Sequence, residues 1–420
     1  MALPMTRYLP RGTTCSACGY HVAVPFFQGG RQPLATLAWP TTAEQARNLP
    51  RLPSDFYRCI DCGHIFNPDF DYKHVPYSEK PNLMFNSGQI WSEHIRSLCD
   101  AILTHLPPQP VVVEVGHGDG SFLAALAAKR PQGRYIGFDP HGAISANASI
   151  DLRAELFDPA SHLEQLAPHL VISRHVLEHL IDPLGFLQQL TFAAACCECE
   201  PLGYIEVPCI DRVLETGRTS DFYYEHSSQF TTGSFTRMLE NSGVEVLRIG
   251  HAYGGEVVHA FIRFLGHPEF VARAEDARLF QIRSGQALET IRSQLAALHA
   301  SGTSVAVWGG TGKSAAFMCQ YGMDEERFPT VIDSDPAKVG TFVPGTGQII
   351  RFRDWLHDHP AQVVIIPPQW RAADIIAEMA AAEISTDLVL IEHNGRLIDY
   401  RQDEHPYRLA VPPSPGQEPN

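Results

Sequence analysis

The chain has 420 residues, of which 44% are hydrophobic and 19% charged, and its formal net charge is −15. That length exceeds what one core commonly serves, and the apolar content excludes global disorder, so two or three globular domains are expected. The negative charge argues against non-specific attraction to nucleic acid or an anionic membrane, and no apolar run reaches the length of a span, so neither is an expected partner.

The segment Met1 to Arg7 has no long apolar core and no cleavage pattern, which points to a cytoplasmic protein. In that compartment cysteines are thiols or metal ligands rather than disulfides. Residues 1–80 are rich in Pro, Gly and aromatics and carry two Cys-x-x-Cys pairs, Cys15/Cys18 and Cys59/Cys62. The two-residue spacer lets two thiolates converge on one tetrahedral ion, and four soft ligands leave no open position, so a structural Zn2+ is expected there. Gly19 and Gly63 follow the pairs and relieve crowding where each knuckle turns. The metal supplies folding energy that so small a module lacks.

A helical pattern begins near residue 88 (Ile90, Trp91, His94, Ile95, Leu98) and stops before Pro107. A strand from Pro110 to Val115 then leads through a glycine-rich turn into an apolar helix, Phe122 to Ala128, and Arg134 to Asp139 reads as the next strand. The turn reads Glu114-Val-Gly116-His117-Gly118-Asp-Gly120, an acid-x-G-x-G-x-G spacing rather than the dinucleotide G-x-G-x-x-G. An acid before the turn suits a cationic ligand without a pyrophosphate, which points to S-adenosylmethionine. Asp139, ending the next strand, is placed to accept from the ribose hydroxyls, and His175, beyond the strand ending at Ser173, sits at the same carboxyl edge.

Further strands at Leu170–Ser173 and Gly203–Val207 flank a helical stretch to about Ala195, which implies a doubly wound, mainly parallel sheet. Cys196, Cys197 and Cys199 read as idle thiols, because adjacent cysteines point apart. The stretch Tyr223-Tyr-Glu225-His226 offers proton donors and acceptors: His226 as a general base, Glu225 to orient it or act as a second base, Tyr223 to stabilise an oxyanion.

Residues 268 to 300 form a long helical pattern, and a second alternating unit starts at Ser304. Gly309 to Ser314 ends like a phosphate-binding P-loop, but Val307 stands where that motif needs glycine. Lys313 remains a candidate for a substrate phosphate at a helix N-terminus. The expected α/β architecture is therefore a zinc-binding module (1–80), a Rossmann-like class I methyltransferase domain (81–265), a connecting helix (266–300), a second Rossmann-like domain (301–407) and a disordered tail (408–420).

The three blocks in this order resemble the zinc-containing, three-domain sugar C-methyltransferases, which use S-adenosylmethionine to methylate nucleotide-linked keto-deoxysugars. The resemblance rests on the four cysteines, Glu114 to Gly120, Tyr223 to His226, Trp308 to Lys313, Val331 to Asp333 and Phe342 to Thr346. It implies a small-molecule partner, a nucleotide sugar, whose ketone-adjacent proton is removed by His226 with Glu225 and Tyr223 assisting. It also brings in Tyr77, in Pro76-Tyr-Ser78, as an active-site tyrosine. The chain departs from the family at Gln229, where an aromatic residue is usual. Read without the resemblance, the residues leave open an acceptor that is a hydroxyl, an amine or a non-sugar carbon acid.

Overall fold

The computed structural model describes residues 8–75, 88–146 and 150–408. Two compact units divide at Met1–Ala272 and Arg273–Asn420.

The first unit opens with β1 (Arg11–Gly12), β2 (Val22–Gln32), a short α1 (Ala43–Arg47), β3 (Leu52–Cys59) and β4 (Ile65–Phe66). The chain then runs α2 (Gln89–Thr104), β5 (Val111–Val115), α3 (Ser121–Lys129), β6 (Arg134–Phe138), β7 (Ser145–Ala146), β8 (Ile150–Arg153) and α4 (Pro159–Leu166). It continues through β9 (Leu170–Arg174), α5 (Pro183–Cys196), β10 (Leu202–Pro208), α6 (Asp211–Thr216), β11 (Ser228–Gln229), α7 (Thr232–Asn241), β12 (Val244–Ala252) and β13 (Val257–Phe264).

Eight strands form one sheet in the order β12-β13-β10-β9-β5-β6-β8-β7. Strands β8, β6, β5, β9 and β10 are mutually parallel, and β13 joins β10 antiparallel. The apolar runs expected as strands are the buried centre of this sheet: Val112, Val113, Ile136, Val171 and Ile172 are at most 1% exposed. A near-continuous apolar strand covered on both faces is what a parallel sheet requires.

The cysteine module has its own five-stranded sheet, β1-β2-β3-β4-β11. Its last strand comes from residues 228–229, which pair antiparallel with Ile65 and Phe66. Sequence reading closes the module at residue 80; in space it shares a sheet and a core with the methyltransferase-like part. Cys15, Ala17, Ala23 and Phe66 pack in one apolar cluster with Phe230, Phe235, Leu184 and Leu187.

The second unit begins within α8 (Pro268–Ala300), which precedes β14 (Val305–Trp308), α9 (Lys313–Tyr321), β15 (Thr330–Asp333), β16 (Ile350–Phe352), α10 (Trp355–Asp358), β17 (Val363–Ile365), α11 (Ala372–Ala381), β18 (Leu388–His393) and β19 (Arg396–Asp399). Their sheet runs β16-β15-β14-β17-β18-β19, parallel except for the last strand. Helix α8 is more than a connector: Ile291 and Leu295 are buried in the core of this sandwich, whereas Phe280 is 72% exposed. Of the tail, residues 409–420 lie outside the described residues.

Candidate active site and metal centre

The two Cys-x-x-Cys turns close on themselves through Gly19 N–H to the Cys15 carbonyl (2.9 Å) and Gly63 N–H to the Cys59 carbonyl (3.2 Å). They bring the four sulfurs within 4.8 Å of one another, with Cys15–Cys62 at 3.7 Å and Cys18–Cys59 at 3.6 Å. A tetrahedral Zn2+ with Zn–S bonds of about 2.3 Å sets its sulfurs about 3.8 Å apart, so the donor set fits the ion by type, number and spacing. The Cys62 thiol is lowered to about 6, chiefly because Cys15 hydrogen-bonds to its sulfur, so a thiolate is already favoured at one ligand.

The module rests directly on the segment that carries Tyr223 to Gln229. Ser16 Oγ meets Ser228 Oγ at 3.1 Å, Asn67 N–H donates to the Ser227 carbonyl at 2.8 Å, and Asp71 N–H donates to the Tyr224 hydroxyl at 2.9 Å.

At the carboxyl ends of β5 and β9 lies a cavity of about 350 Å³. Glu114, Gly116, His117, Gly118 and His175 line it, as the sequence leads one to expect, together with Trp91 and Arg174. The turn needs glycine at 116: its φ is +76°, and a Cβ there would lie 2.3 Å from Val176 Cγ2. Two expected cofactor ligands are absent from the lining. Gly120 has turned away to cap α3. The Asp139 carboxylate accepts from Gly118 N–H (3.1 Å) and His141 N–H (2.9 Å), which holds the loop in place. His117 is 5% exposed, with its ring wedged against Gly137 and Gly142.

Beneath the cavity is a buried ionic network that sequence reasoning missed. Glu206, fully buried, accepts from the Tyr204 hydroxyl at 2.6 Å and lies 3.2 Å from His94 Nε2, 3.1 Å from His175 Nε2 and 3.4 Å from Arg174 Nε. Arg174 also reaches Glu114 at 3.7 Å and lies over the Phe122 ring at 4.2 Å. Burial alone would raise Glu206, but His175, His94 and Arg174 outweigh it and hold the carboxyl well below its usual range. Burial likewise opposes charge on His175, yet Glu178 and Glu206 raise it to about 9. Burial, reinforced by Asp119, Glu206 and Asp139, outweighs the Arg174 contact and pushes Glu114 up to about 8.

His175 Nδ1 stands 3.5 Å from Glu178, and Glu178, His179 and His226 form the next cluster. Tyr223 Oη and His226 Nε2 share a 2.7 Å hydrogen bond. The His179 ring stands edge-on to His226 at 4.8 Å, and its Nδ1 donates to the Glu225 carbonyl at 2.8 Å. Burial, reinforced by His179, lowers His226 to about 3, so its imidazole is neutral at pH 7. Burial also keeps the Tyr223 phenol protonated.

Glu225 is not where the sequence puts it. Its fully buried carboxylate turns away from His226 and accepts from Thr36 N–H (2.8 Å), the Thr36 hydroxyl (3.1 Å), Leu37 N–H (3.2 Å) and Ala35 N–H (3.1 Å). It neither orients the imidazole nor serves as a base; it fastens the 35–37 loop. Gln229, the departure from the family pattern, donates to the Asp221 and His226 carbonyls at 2.9 and 3.2 Å and so closes the loop on itself. Tyr77 lies outside the described residues.

In the second unit, a cavity of about 250 Å³ is lined by Trp308, Gly309, Lys313, Asp333, Lys338 and Trp370, among others. Gly310 N–H donates to the Asp333 carboxylate at 2.9 Å, and Lys338 faces the same carboxylate at 3.3 Å. Cys196, Cys197 and Cys199 belong to no group of potential metal ligands among the described residues. No helix among them is long and apolar enough to cross a membrane.

Residues 90–249 match a family described as a methyltransferase domain, and residues 270–391 match the C-methyltransferase C-terminal domain. The C-methyltransferase NovU of Streptomyces niveus is 24% identical over 364 residues, covering 79% of this chain and 84% of that protein. These matches bear out the likeness to sugar-type C-methyltransferases. Among solved structures, a SAM-dependent methyltransferase from Aquifex aeolicus aligns with 43% of this chain and all of its own (100%), at 14% identity and a TM-score of 0.31. The riboflavin-analogue dimethyltransferase RosA of Streptomyces davawensis aligns with 42% of this chain and 56% of its own, at 19% identity and a TM-score of 0.32.

Proposed function

We propose that this chain, an S-adenosylmethionine-dependent methyltransferase bearing the C-terminal domain of the C-methyltransferases, methylates an enolisable carbon next to the ketone of a nucleotide-linked keto sugar. The observation that carries this reading is the Tyr223–His226 pair, bonded at 2.7 Å, next to Glu178, whose other neighbour His175 lines the donor cavity. A carbon acid needs a base, whereas an amine acceptor does not.

His226, neutral at pH 7, takes the proton from the carbon next to the ketone. With Nε2–H donated to Tyr223, the ring's other lone pair is the acceptor, and the Tyr223 O–H is left to donate to the oxygen that becomes the enolate. The electron pair released from the C–H bond forms the enolate, whose carbon attacks the sulfonium methyl in line. The C–S bond breaks and its pair stays on sulfur. S-adenosylmethionine supplies the methyl; the protein supplies alignment, the base and the oxyanion donor. Lys313, opening α9 and lining the cavity of the second unit, is suited by its charge and its place at a helix N-terminus to contact a phosphate group.

The test is turnover of keto sugars deuterated next to the ketone. Deuterium should be lost during methylation, and His226→Ala should cut turnover by roughly 10²- to 10⁴-fold with S-adenosylhomocysteine binding retained. Methylation with full retention of deuterium would remove the enolate route.

A further inference from the structure

We infer that Glu178, His179 and His226 form a second metal site, separate from the four cysteines, that takes a divalent transition-metal ion of the zinc type. One carboxylate oxygen of Glu178 and one ring nitrogen from each histidine lie within 4.8 Å of one another. Glu178 is 1% exposed, and its Oε2 is buried with no hydrogen-bond partner, although His175 stands 3.5 Å from Oε1. A buried carboxylate oxygen without a donor is costly, and a cation at this point offsets that cost.

The supporting shell also has the form that metal-bound histidines take. His179 Nδ1 faces the Glu225 carbonyl at 2.8 Å. A carbonyl can only accept, so Nδ1 carries the proton and the lone pair lies on Nε2. The His226 ring is oriented by Tyr223 through Nε2 at 2.7 Å. A histidine whose second nitrogen is fixed by a carbonyl or hydroxyl is the usual ligand arrangement. Two imidazoles and one carboxylate suit zinc, cobalt or nickel rather than magnesium or calcium, and three protein ligands leave one position open. The other mixed group, Cys209, Asp211 and His251, differs: the Thr232 hydroxyl sits within it, 2.5 Å from Asp211 and 2.7 Å from His251, and satisfies it without an ion.

A bound ion would occupy the lone pair with which His226 takes the proton, so the site should inhibit. That consequence rests on the proposed role of His226; the binding does not. The experiment is a cobalt(II) titration of the full chain already loaded with zinc at its four cysteines. One further equivalent should bind, with the weak visible bands of a nitrogen–oxygen ligand set and no thiolate-to-cobalt charge transfer. Glu178→Gln and His179→Gln should each weaken it at least tenfold, with S-adenosylhomocysteine binding as the check on folding. Magnesium at millimolar concentration should not displace it. No second equivalent, or unchanged affinity in both variants, overturns the site. Turnover of a nucleotide-linked keto sugar should fall more than tenfold with occupancy and return on chelation. Cobalt bound with turnover undiminished would leave the site and overturn the assignment of His226.

Discussion

Neighbouring residues Glu225 and His226 have opposite dependences. The Glu225 carboxylate receives four hydrogen bonds from residues 35–37 in a buried setting. Removing a buried, fully bonded anion strands its donors, which costs on the order of 3 kcal/mol. Glu225→Ala should therefore lower the urea midpoint strongly, whereas His226→Ala, part-buried and with its ring bonded once, should lower the midpoint far less while cutting turnover by the factor given above. Equal losses of stability would contradict this division. Glu114 carries a different signature. Folding raises its carboxyl from 4.5 to about 8 through burial, so it is largely protonated at pH 7 in the empty cavity. Its contribution to stability is full below pH 4.5 and is lost as pH rises through about 8. On the proposed assignment of this cavity to the methyl donor, the cofactor brings a sulfonium and an ammonium beside Glu114, and a cation there favours the carboxylate. S-adenosylmethionine binding at pH 7 should thus release a proton and tighten as pH rises toward 8. Calorimetry in two buffers of different ionisation enthalpy reads this directly, and Glu114→Gln should abolish the release.

At the scale of elements, the cysteine module acts as a buttress for the segment that carries His226, the proposed base. Strand β11 adds residues 228–229 to the module's sheet, and Ser16, Asn67 and Asp71 tie it down on either side. The donor cavity, by contrast, is lined by residues 91 to 175 and none from the module. Removing zinc with a chelator, or substituting Cys59→Ser, should therefore depress turnover well before it weakens S-adenosylhomocysteine binding. Parallel loss of both would mean that the module supports the whole unit rather than the base. The same contrast explains what could be read from the sequence. Strands β5, β6, β9 and β10 are buried on both faces, so they appear as apolar runs between turn residues. Strand β12 is nowhere fully buried and its pairing with β13 slips between Val246 and Arg248, so its alternation breaks and the hairpin leaves no clear period. The metal ligands were legible because a chelating turn is local. The direction of Glu225 was not, because its partners lie about 190 positions earlier. Glu206 did leave a trace: a lone acid inside the apolar strand Leu202–Pro208 must have buried partners to be tolerated.

For the molecule as a whole, the division at Ala272 and Arg273 separates two independent sets of cores. The apolar clusters of the first unit draw only on residues up to Phe264, and those of the second only on residues from Leu288 onward. The intervening first half of α8 buries no side chain, since the helix's only buried residues are Ile291 and Leu295. Cooperativity follows shared cores, so the chain should unfold in two calorimetric transitions rather than one. Every residue lining the donor cavity belongs to the first unit. A ligand stabilises only the cooperative unit that binds it, so S-adenosylhomocysteine at a hundredfold excess over its Kd should add about 2.7 kcal/mol to one transition and leave the other in place. A single transition moved as a whole by the ligand would show that the two units unfold as one.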